Sequence, residues 1–79
     1  MDDFYAVMHA CKRAAEALEN ADDAEMNTGL YKGSPRFSEI AEQLSIVAVR
    51  VANAVSCTGN VTLRVSSILG HPFFEKLEG

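Results

Sequence analysis

No glycine or proline occurs before Gly29, and none occurs between Pro35 and Gly59. Two long segments are therefore free of the residue types that most often break regular structure. The breaks cluster at 29–35, recur at Gly59, and recur again at Gly70-His71-Pro72. They divide the chain into three or four elements, with no internal repeat, low-complexity tract or linker between them.

The first segment predicts a helix from about Asp3 to Glu25. Asp2 or Asp3 can cap it by accepting a free N–H of the first turn. Phe4, Val7, Cys11, Ala14, Leu18 and Ala21 recur at alternating spacings of three and four, and Met8 and Ala15 widen that stripe. Most of these side chains are small, so a second helix can approach closely. After a loop over 27–33, Ser34-Pro35 has the chemistry of a helix start: serine caps, and proline suits the first helical position because its missing N–H would be unpaired anyway. From there Phe37, Ile40, Ala41, Leu44, Val47, Ala48, Val51 and Val55 keep helical spacing.

Residues 46–69 admit two readings. Val47, Val49 and Val51 alternate, as do Val61, Leu63 and Val65, and Cys57-Thr58-Gly59-Asn60 between them has the composition of a hairpin loop. The competing reading continues the second helix to about Ser56, breaks at Gly59, and starts a short third helix at an Asn60 cap that runs to Leu69. Helical spacing is unbroken from Phe37 to Val55, and Ala48, Ala52 and Ala54 are poor strand residues. The expected fold is therefore all-α: one domain over 1–79, an antiparallel helical hairpin plus a short third helix, with a helical turn over Pro72–Leu77 docking Phe73 and Phe74. The alternative is α+β, with a hairpin at 46–69.

Ile46 and Val49 fall on the polar side of the second helix, which makes it apolar nearly all round through 44–52. A helix of that kind is normally buried on most of its circumference. A chain of 79 residues buries only about 60–65% of its unfolded surface, so a second copy is the simplest cover. Self-association through Leu44, Ile46 and Val49 is the expectation.

The formal net charge is −4, and a duplex-binding domain normally carries a basic face, so no nucleic-acid partner is expected. The first 25 residues hold seven acids against Lys12 and Arg13, whereas residues 43–74 hold no acid and only Arg50 and Arg64. A hydrophobic content of 48% excludes a disordered tail. No run approaches the roughly 18 apolar residues of a membrane span. Met-Asp-Asp is not the basic start of a secretory leader, so Cys11 and Cys57 read as reduced thiols and the compartment as the cytoplasm.

Catalytic and metal chemistry find little material. His9 and Cys11 lie two apart, about 200° around a helix, and cannot readily share a zinc ion with Cys57 and His71. Cys11 sits on an apolar stripe that would quiet its thiol. Cys57 is the more reactive candidate, with His71 as a conceivable base. Asp2-Asp3 and Asp22-Asp23 read as helix ends, and no calcium loop is present. Neither metal nor cofactor is expected.

The most informative local feature is Gly29-Leu30-Tyr31-Lys32-Gly33-Ser34-Pro35-Arg36. It delivers Lys32, Ser34 and Arg36, with Tyr31 as a stacking surface, to a helix N-terminus whose free N–H groups favour an anion. The glycine-lysine spacing is not that of a Walker loop. The leading functional expectation is a small non-catalytic binding protein, of inhibitor or adaptor type, that occupies a partner protein's surface. The alternative is an oligomeric binder of a phosphorylated or nucleotide-like ligand through Tyr31, Lys32, Ser34 and Arg36. In general type only, by size and acidity, the chain resembles accessory proteins of phages and mobile elements.

Overall fold

The computed structural model describes residues 2–27, 35–57, 59 and 61–77. Helix α1 spans Asp2–Asn27 and α2 spans Pro35–Ser56, within two residues of where periodicity and the Ser34-Pro35 signal put them. Strands β1 (Leu63–Ile68) and β2 (His71–Lys76) follow and pair as an antiparallel hairpin.

The hairpin overturns the all-α expectation: among the described residues there is no third helix over 61–69 and no helical turn at Pro72–Leu77. The α+β alternative names the class that is found but places its hairpin at 46–69, whereas residues 46–56 are helical and the strands lie at 63–68 and 71–76. Locally, Val61, Leu63 and Val65 alternate with Thr62, Arg64 and Ser66, and β-branched residues suit a pleated surface. Helical spacing over 61–69 had no such support. The turn that makes the strands a hairpin is Leu69-Gly70, both at positive φ, 52° and 82°. That is the mirror-image geometry which two-residue hairpin loops require and which Asn-Gly normally supplies. Glycine adopts it freely. Leucine gives up roughly 1–2 kcal/mol there, offset by packing its half-buried side chain against the core and by donating its N–H to Glu19 Oε2 at 3.4 Å.

The register runs from Leu63↔Lys76 to Ile68↔His71. Beyond it the Leu77 N–H donates to the Thr62 carbonyl at 3.0 Å. Even-numbered β1 residues are thus the hydrogen-bonded ones, and Leu63, Val65 and Ser67 turn their N–H and C=O groups away from β2. On β2 the groups of Pro72, Phe74 and Lys76 turn away from β1. Pro72 has no N–H to leave unpaired there, and its carbonyl accepts the buried Ser45 hydroxyl of α2 at 2.8 Å.

Strand β2 lies against both helices, while β1 touches chiefly α1. Two adjoining clusters make the core. One joins Cys11 and Ala15, Ala48, Ile68 and Phe73; the other joins Met8, Ala52 and Val55, flanked by Tyr5, Val61 and Leu63. Half-buried Phe74 packs against both. Alanines carry the helix side of this core, so the helices approach closely and the bulk comes from Phe73 and Met8, the largest fully buried side chains. The molecule is elongated, 47 × 22 × 17 Å, because a 26-residue helix is about 39 Å long and a six-residue strand only about 20 Å.

Candidate functional site

The α1 side chains that meet the hairpin or the core beneath it are Tyr5, Met8, Lys12, Ala15 and Glu19. Two residues further along is about 200° further around a helix. Val7, Ala10, Ala14, Ala17 and Ala21 therefore line the opposite face, and all are exposed. On α2, Ser38, Ser45 and Ala52 face the hairpin or the core, and Ile40, Val47 and Ala54, two residues on, are exposed. The helical layer is covered on one side only. Its open side presents Val7, Ile40 and Val47 at 40%, 42% and 43% exposure, and Arg50 stands beside them.

Periodicity alone assigns Val7, Ala14, Ala21, Ile40 and Val47 to the core stripes. Those stripes are wider than one hairpin can cover, and the hairpin sits over Met8, Cys11 and Ala15. Of the residues expected to pair with a second copy, Leu44 packs half-buried against the Phe73 cluster, Val49 is half-buried, and Ile46 is exposed. The anion loop is not brought into view: Tyr31, Lys32 and Ser34 lie outside the described residues. Arg36 is exposed in the first turn of α2 and already engaged in an interaction.

The polar contacts of the hairpin are structural in kind. Glu75 on β2 accepts Lys12 Nζ of α1 at 2.7 Å and Arg64 Nη1 of β1 at 3.3 Å. Lys12 also lies 3.8 Å from Glu16. The hydrogen-bonded Lys12 ammonium holds the Glu75 carboxyl below its ordinary range; desolvation opposes the shift and Arg64 adds to it. A carboxylate depressed in the folded state contributes stability above its unfolded pKa, near 4.3, and loses it as pH falls through the folded value. Glu75→Gln should therefore lower the urea midpoint at pH 7, and the difference from wild type should shrink below about pH 4. An equal difference at pH 7 and pH 3 would contradict this. The ammonium of Lys76 sits 4.8 Å from the Tyr5 ring centroid and ties β2 to α1 a second time.

Neither thiol is paired. Burial pushes the Cys11 thiol up, which leaves it a poor nucleophile. Exposed Cys57 follows the C-terminal end of α2, whereas the His71 Nε2 meets the Ser38 hydroxyl at 3.2 Å near the other end. Cys57 lies nineteen positions beyond Ser38 along α2, roughly 28 Å, so the fold keeps Cys57 and His71 apart. Among the described residues no three His, Cys, Asp or Glu side chains gather to hold a metal ion, and no helix is long and apolar enough to cross a membrane. Comparison of the chain with family models, curated proteins and solved structures returns no match.

Proposed function

We propose that this chain is a non-catalytic binding protein that works by occupying a partner protein's surface, and that the open helical face is what it presents. The observation that supports this reading is the exposure of Val7, Ile40 and Val47 on one side of a two-helix layer whose other side carries the hairpin. Apolar side chains grouped on one face mark interaction sites more often than scattered ones do. Exposed alanines extend both rows, so a partner's aliphatic or aromatic side chains can pack against them. Arg50 favours an acidic rim on that partner. Two free cysteines suit a reducing compartment such as the cytoplasm.

The double variant Ile40→Glu, Val47→Glu tests the reading. Both positions are solvent-exposed, so the melting temperature should stay within a few degrees. Quantitative affinity capture from native host cells should show a protein retained by the wild type and reduced at least tenfold with the variant. Identical captured sets from the two would overturn the proposal.

A further inference from the structure

The two edges of the hairpin are treated differently. The β2 edge is blunted by Pro72 and closed by the Ser45 hydroxyl on the Pro72 carbonyl. Proline and a covering helix are the devices by which natural sheets avoid edge-to-edge pairing. The β1 edge carries neither. Leu63, Val65 and Ser67 direct their N–H and C=O groups outward, and among the described residues nothing pairs with them. No charge stands at these three positions. Val65, at their centre, is 60% exposed, more than any other large hydrophobic side chain among the described residues.

We infer that β1 pairs with β1 of a second copy about a two-fold axis through Val65, giving a four-stranded antiparallel sheet whose two outer edges are the protected β2 strands. An antiparallel edge is self-complementary under a two-fold axis. Only the register centred on Val65 leaves none of the three residues unpaired: Val65 meets Val65, and Leu63 meets Ser67 of the second copy. That register sets β-branched valines side by side. It also places Arg64 opposite Ser66 rather than opposite another arginine. The unprotected edge, the exposed valine at its centre and the absence of opposed like charges point to the same occupant. This surface is distinct from the open helical face, so the pairing stands or falls independently of the proposed function.

The test is the mass in solution. Light scattering at about 100 µM should give twice 8.6 kDa. Val65→Pro removes an N–H that makes no bond within the chain, so it should return the mass to 8.6 kDa with the far-UV circular dichroism retained. Val65→Lys, which keeps every N–H and adds an edge charge, should weaken the dimer at least tenfold. Ile40→Glu, Val47→Glu should remain dimeric. A wild type that stays at the single-chain mass overturns the inference, including one that accepts a strand only from another protein. So does a folded Val65→Pro that keeps the doubled mass. If Val65→Pro unfolds, hydrogen exchange on the wild type decides: the Leu63, Val65 and Ser67 amides should slow with rising concentration, and concentration-independent fast exchange would refute the pairing.

Discussion

Phe73→Ala should remove a large share of the fold's stability. Phe73 is fully buried at 0% exposure, and it contributes most of the volume that fills the space among Cys11, Ala15, Ala48 and Ile68. Truncating a buried phenylalanine costs about 3–5 kcal/mol, part for lost transfer and part for the cavity. Domains of this size hold only about 4–12 kcal/mol in total. The surrounding alanines cannot swing in to fill the gap, so collapse will recover little. In a melt followed at 222 nm, the midpoint should drop by at least about 12 °C, or the cooperative transition should vanish. A drop under about 5 °C would mean that Phe73 is not the centre of the core. Phe73→Leu, which keeps most of the apolar volume, should be far milder.

Met8→Ala should cost about 2–5 kcal/mol, while Val7→Ala, its sequence neighbour, should stay within about 0.5 kcal/mol. Met8 is 1% exposed and anchors the second cluster with Ala52 and Val55, whereas Val7 is 40% exposed on the open face. The pair measures the rotation of α1 about its own axis. If urea melts gave Val7→Ala the larger loss, the hairpin would have to lie on the other side of the helices.

Both helices were legible in the sequence because their signals are local. Uninterrupted helix formers, a capping aspartate and a serine-proline start act within a turn or two. The rotation of each helix was not legible. Every third or fourth residue from Phe4 to Ala21 is apolar or small, and such a stripe does not say which half will be covered. Only the hairpin decides that, and it comes from the other end of the chain. The hairpin itself escaped for a particular reason. Its turn is Leu69-Gly70, in which leucine holds a left-handed conformation, and Pro72 inside a strand reads as a break. Its N–H would have pointed away from β1, so the strand loses nothing by the substitution. The pairing hub Glu75 lay one residue beyond the acid-free stretch. The open face was visible as apolar periodicity and assigned to the interior, since a sequence pattern records how many faces are apolar and not how many will find cover.

The Lys12–Glu75 contact spans 63 positions of the chain, and Phe73 fills the space beside Cys11, Ala15 and Ala48. Brought together alone, α1 and α2 would bury Met8 against Ala52 and Val55 but leave that space empty, so a helical intermediate lacking the hairpin should gain only part of the core. The chain then has to close its longest loops in the same step that forms its helix–helix contact. Such closure is slow relative to local helix formation, and high sequence separation leaves no partly assembled species worth populating. Refolding should follow a single exponential with helix signal and burial of Phe73 rising together, at a rate closer to that of mixed α/β domains than to that of helical bundles.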